Sequence, residues 1–130
     1  LTLSCYGGFL IGQAAARSME PRGQGAIFFT GATASVKGYA TSAAFAMGKF
    51  GLRGLAQSMA RELAPKGIHV AHFIVDGIIA RYDGQRGRAP REDDSMLDPD
   101  AIADTYWHVY QQHRSTWSWE VEVRPWLEKF

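Results

Sequence analysis

Phe45-Ala46-Met47-Gly48-Lys49 sets a basic group four residues after an aromatic ring. On a helix that spacing stacks both side chains on one face. The lysine can donate hydrogen bonds to ligand hydroxyls, whereas the ring of Phe45 has no proton to exchange. Gly48-Lys49 is not a phosphate-cradling P-loop. The glycine such a loop needs at 43 is Ala43, and the hydroxyl it needs at 50 is Phe50. Thr30-Gly31-Ala32-Thr33-Ala34-Ser35 opens like a glycine-rich dinucleotide turn, but Ser35 and Lys37 stand where its later glycines belong. Backbone there would be kept away from a pyrophosphate. His69 and His72 fall on opposite faces of a strand, and His108 and His113 are five apart on a helix, so neither pair reads as a metal site. Glu120 and Glu122 read as the solvated face of an edge strand, and Trp117 and Trp119 as core or interface residues. Cys5, with no second cysteine or visible base near it, reads as a buried bystander.

The elements that must position these groups follow from periodicity. Gly8 to Met19 is rich in helix formers and closes at Glu20-Pro21-Arg22-Gly23. Ala26 to Thr30 is a short apolar run, as in a strand covered on both faces. A loop of small residues leads to a helix over 45–64. There Leu52, Leu55, Met59 and Leu63 recur at spacings of three and four, while Arg53, Gln57 and Arg61 line another face. Pro65 and Gly67 end it, and Ile68 to Val75 is a second buried strand. Ile78 to Leu97 is a long loop of the kind that serves as a lid or binding loop. Asp98-Pro99 caps a helix running to about His113. Trp117, Trp119, Val121 and Val123 then alternate with polar residues, the pattern of a strand with one buried face ended by Pro125.

This alternation is an α/β pattern with right-handed crossovers and a parallel sheet. The helix 45–64 is expected to cross between two adjacent parallel strands, with Lys49 pointing to their carboxyl ends near Ala32 and Gly77. Ile27-Phe28-Phe29 reads as a central strand although it is the first one. Earlier strands are therefore expected to be missing, and a chain opening on Leu1-Thr2-Leu3-Ser4 to begin in mid-fold.

The 130 residues suit one domain at most, with 46% hydrophobic and 21% charged residues and a net charge of +1. That charge draws the chain to neither nucleic acid nor an acidic membrane. Arg81 to Asp94 balances four arginines against four acids, a solvated loop. A single cysteine fits the reducing cytoplasm, and no apolar run has the length of a membrane span.

The strand, the helix with Lys49, the segment "SMARELAPKGIHV" and the following strand together resemble the last half of a short-chain dehydrogenase/reductase. The resemblance covers residues 2 to 80 well and the rest loosely. Ser4-Cys5-Tyr6-Gly7-Gly8-Phe9 looks like the family segment that starts with an Asn. Gly25 to Ala32 looks like its fifth strand, and Ile74-Val75-Asp76-Gly77 like the Pro-Gly turn after the sixth. Glu120 to Val123 looks like the seventh, which often lies at a subunit interface. The resemblance implies residues 1–130 as a single partial domain, an α/β Rossmann-type three-layer fold lacking its N-terminal strands. It implies hydride transfer between NAD or NADP and an alcohol or carbonyl, a small-molecule substrate, and a homo-oligomer in the full-length parent. It places Lys49, Phe45 (Tyr position), Ala32 (Ser position, thirteen residues before Phe45) and Ser4 (Asn position) at the catalytic centre. Lys49, Thr30, Gly31, Asp76, Gly77 and Ile79 fall at the cofactor.

In the family the Tyr moves a proton, the Lys lowers its pKa and holds the ribose, and the Ser polarises the carbonyl. Here only the lysine is kept. Asp76 replaces the Pro of the turn, and Arg81 stands where a threonine would contact the nicotinamide amide. Phe45 is expected to border the same crevice as Lys49, the bland alternative being that its ring fills the Tyr pocket as packing. Tyr39 and Thr33 are the nearby hydroxyls that could stand in for the lost ones. The alternative is a non-catalytic member of the fold, kept for ligand binding or subunit assembly.

Overall fold

The computed structural model describes residues 5–129. Six elements follow in order: α1 (Gly7–Met19), β1 (Gly25–Ala32), α2 (Ala43–Leu63), β2 (Ile68–Val75), α3 (Pro99–Tyr110) and β3 (Glu120–Val123). The strands form one parallel sheet in the order β1-β2-β3. β1 pairs with β2 from Gly25 opposite Ile68 to Ala32 opposite Val75. β2 pairs with β3 from His72 opposite Glu120 to Val75 opposite Val123. Every residue of β2 is buried, because helices cover both faces of the central strand.

One face carries Ile27, Phe29, Ile68 and Val70, packed under Leu52, Ala56, Ala60 and Leu63 of α2, with Ala15, Ala16 and Met19 of α1 beside them. The other carries Phe28, Ala71, Phe73 and Val121 under Tyr106 and Val109 of α3. Spacings of three and four put the α2 residues on one stripe. Burying a side chain such as Phe73, with 0% exposure, stabilises by about 1.5–3 kcal/mol. The chain leaves α2 through a 3-10 turn, Ala64–Lys66, and reverses at Gly67, whose φ is +84°. A Cβ at Gly67 would come within 2.2 Å of the Gly23 carbonyl oxygen, so the turn needs glycine.

Two expectations are corrected. α2 and α3 lie on opposite faces while β1, β2 and β3 follow one another across the sheet. The two crossovers therefore have opposite hands, and only one obeys the right-handed rule. The alternating run from Trp117 also does not form one strand. β3 begins at Glu120, and Trp117 and Trp119 precede it. Trp117 stacks on His69 at 4.6 Å on the α3 face, and Trp119 lies over His72 at 6.4 Å on the α2 face.

Elsewhere the boundaries follow the sequence. The Asp98 carboxylate accepts from the Asp100 N–H at 3.0 Å and caps α3. α3 stops at Tyr110, short of His113, because Gln112 turns to Ser118, donating to its hydroxyl and accepting from its N–H, both at 2.9 Å. The long loop is pinched at its base, where Ala80 N–H donates to Leu97 and Leu97 N–H to Ile78, both at 2.8 Å. Among the described residues no helix is long and apolar enough to cross a membrane.

Candidate functional site

β1 and β2 end side by side at Ala32 and Val75. A 3-10 turn, Thr33–Ser35, carries the chain away from one, and Asp76-Gly77 from the other. Ligands of open α/β sheets occupy the crevice outside such ends.

α2 supplies Phe45 and Lys49 one turn apart. The Lys49 Nζ lies 5.8 Å from the centre of the Phe45 ring, a cation–π contact worth roughly 0.5–1 kcal/mol at an exposed site. Phe45 is 54% exposed, so its ring does not fill a packed pocket, which counts against the packing alternative. Lys49 is half-buried and lines a groove with Gly8, Phe29 and Thr30. No carboxylate among the described residues pairs with it, so its three N–H donors can serve a ligand.

The other groups named from the sequence are held as follows. Ala32 offers no polar side-chain atom, and its N–H donates to the Ser35 Oγ at 3.0 Å. The Thr33 hydroxyl donates to Asp76 Oδ1. Asp76 is 4% exposed, and its N–H donates to the Val123 carbonyl at 2.9 Å. These bonds clamp the ends of all three strands. The Thr30 and Tyr106 hydroxyls are 2.7 Å apart, tying Thr30 to α3. Gly77 has a φ of +148°, and a Cβ there would stand 2.9 Å from Pro125 Cδ. Ile79 forms a bridge with Leu97 at the base of the long loop. Arg81 is occupied by Asp83 at 2.8 Å. Tyr39 is 56% exposed. Ser4 lies outside the described residues. Thus Lys49 and Thr30 share a groove and Thr33 and Asp76 share a bond, while Ile79 and Arg81 belong to the long loop.

A second network is absent from the sequence reading. Arg53 makes a two-pronged bond to Glu120, Nε to Oε2 at 2.7 Å and a terminal nitrogen to Oε1 at 2.9 Å. Glu120 Oε2 also meets His72 Nδ1 at 3.1 Å. Glu120 is therefore not on a solvated strand face, which corrects the expectation for it. Burial pushes the His72 pKa down against the pull of Glu120, and Arg53 and Lys49 lower it further. Burial raises Glu120, but the bonds from Arg53 and His72 outweigh this and hold it below the usual carboxylate value. His72 is thus a neutral ring donating through Nδ1–H. Its Nε2 has no partner among the described residues and faces Gly31, where a Cβ would lie 2.3 Å from it. Gly31 is glycine for this packing reason. Arg53 and Glu120 are 67 residues apart, and no spacing rule links them; the strict i+4 arginine stripe on α2 was the only available hint.

The family model described as short chain dehydrogenase matches residues 1–85. A 3-oxoacyl-[acyl-carrier-protein] reductase, MabA, of Mycobacterium avium is 37% identical over 73 residues, which are 56% of this chain and 28% of that protein. A short-chain dehydrogenase structure from Rhodopseudomonas palustris is 49% identical with a TM-score of 0.78, covering 95% of this chain and 49% of that one. A metagenomic short-chain oxidoreductase in complex with NADP is 27% identical with a TM-score of 0.74, covering 95% and 49%. The chain spans about half the length of these solved relatives.

Proposed function

Because the chain belongs to the short-chain dehydrogenase family, we propose that it serves hydride transfer between a nicotinamide cofactor, NAD or NADP, and an alcohol or carbonyl compound. The observation that carries this reading is Lys49, half-buried, without a carboxylate partner, in a groove with Thr30. The metagenomic relative bound to NADP supports the cofactor class. When bound, the cofactor supplies or accepts the hydride. Lys49 would hold its ribose hydroxyls, and the Thr33–Asp76 bond would keep the turn beneath it in place. The proton is the weak point. Phe45 and Ala32 hold none, the Thr33 hydroxyl proton is donated to Asp76, and Tyr39 stands on an exposed loop. A binding site with poor proton transfer is the result.

The test is steady-state kinetics on the whole protein that carries this chain, with cofactor binding measured separately by nicotinamide fluorescence. The wild type binds cofactor and turns over slowly, and Lys49→Met weakens binding. Phe45→Tyr with Ala32→Ser raises the rate by about 10²–10⁴-fold, the usual contribution of general acid–base catalysis. The single variants gain less, because these residues act as a unit. Fast wild-type turnover would assign the proton to another group such as Tyr39. Absence of cofactor binding would favour the second reading, a non-catalytic member kept for ligand binding or assembly, which the missing hydroxyls at 32 and 45 also support.

A further inference from the structure

At the opposite end of the sheet from Lys49, the starts of β1 and β2 border a cavity of about 520 Å³. That is the size of a small-molecule site. Gly25, Ala26 and Gly67 line it, together with Arg22 and Arg114. No Asp or Glu lines it. Among the described residues neither Arg22 nor Arg114 has a carboxylate partner. Glu20, the nearest acid along the chain, is taken by Lys66 at 2.8 Å. Two arginines without a carboxylate partner among the described residues thus line one concave space, together with Gln24 and Gln112.

The wall beside Arg114 is rigid. His69, 4% exposed, stacks on Trp117 with the rings 5° from parallel, and its Nε2 is 2.7 Å from the Ser118 carbonyl oxygen. Gln112 holds Ser118 by two bonds of 2.9 Å, and the Trp117 indole N–H donates to the Gln112 carbonyl. The residues flanking Arg114, Gln112 and Trp117–Ser118, are thus tied to one another and to His69, and such preorganisation lowers the ordering cost of binding.

We propose that this cavity is an anion site that takes a phosphate monoester of nucleotide size. A carboxylate is satisfied by one guanidinium fork. A phosphate monoester, with a charge of about −1.5 to −2 and three terminal oxygens, can engage two. The volume leaves space for the sugar and ring behind the phosphate, and Tyr110 and Trp117 offer apolar surface there. The site is separate from the Lys49 groove and does not depend on the dehydrogenase reading.

The test is titration of the chain with AMP, inorganic phosphate and adenosine at low salt, followed by calorimetry and by the NMR signals of the His69 ring, which lines the cavity. The expected order is AMP, then phosphate, with no binding of adenosine. Arg22→Gln with Arg114→Gln weakens AMP by roughly tenfold or more through loss of both forks. Both residues are exposed, so the fold tolerates the changes, and unchanged circular dichroism checks this. Arg17→Gln, an arginine outside the cavity, leaves affinity unchanged. Saturable AMP binding that shifts the His69 signals and is lost in the double variant supports the site. No saturable binding at millimolar AMP overturns it. Binding that survives the double variant but falls in Lys49→Met overturns it too, because AMP would then occupy the other end of the sheet.

Discussion

His72 shows how burial decides the chemistry of a residue. Its ring is fully buried, and among the described residues its Nε2 is left without a partner against Gly31. An unpaired buried acceptor of this kind costs about 1–3 kcal/mol. Protonation would supply a donor there but would place a charge beside Arg53 and Lys49, so burial and these cations hold the folded pKa below its ordinary value. In the unfolded chain the ring titrates near about pH 6.5. Its contribution to stability is therefore fully present above that pH and is lost as the pH falls and the unfolded state takes up the proton. Glu120 acts in the same direction at lower pH. Its folded pKa is depressed, so its contribution is present above the unfolded value and fades on acidification. Denaturant midpoints should fall between about pH 7.5 and 5.5, and His72→Asn, which keeps an N–H near the Nδ1 position, should flatten that slope by up to one proton. A slope unchanged in the variant would assign the proton to a different group.

At the level of elements, Arg53 joins α2 to β3. Its guanidinium grips Glu120, and it lies 5.5 Å from the centre of the Trp119 ring. The side chain is 37% exposed, so solvent screens the pair, and Arg53→Ala should cost roughly 1 kcal/mol, the upper range for exposed pairs. Urea unfolding measures that loss, and faster amide exchange confined to Glu120–Val123 would locate it. Arg53→Lys should recover only part, because an ammonium cannot make the two-pronged bond. α2 was legible from the sequence because a helix stripe is local information. β3 was misread because alternation ran on through Trp117 and Trp119, where stacking on two histidines of β2, one on each face, decided the path. Thr33 with Asp76, 43 residues apart, was hidden for the same reason.

For the whole molecule, exposed apolar surface sets the expected behaviour. Ile11 is 74% exposed, and Phe9, Leu10, Phe50 and Trp107 are each exposed too. β1 lies at a sheet edge among the described strands, and its Phe28 borders an apolar groove with Ile102 and Tyr106 of α3. Unpaired edges and apolar patches favour association. Sedimentation of the isolated chain should show self-association that rises with concentration. A monodisperse monomer that unfolds cooperatively would contradict this.

The sequence by itself determined the order and type of the six elements, the parallel α/β class, and the pairing of Lys49 with Phe45. These depend on spacing within one segment, which periodicity and capping residues encode directly. The tertiary structure alone decided the opposite hands of the two crossovers, the exposure of the Phe45 ring, and the partners of Glu120, Asp76 and Thr30. Each of these depends on which strand positions stand opposite one another and which face a helix covers. Register and layer are set by packing between segments far apart in the chain, so no local pattern records them.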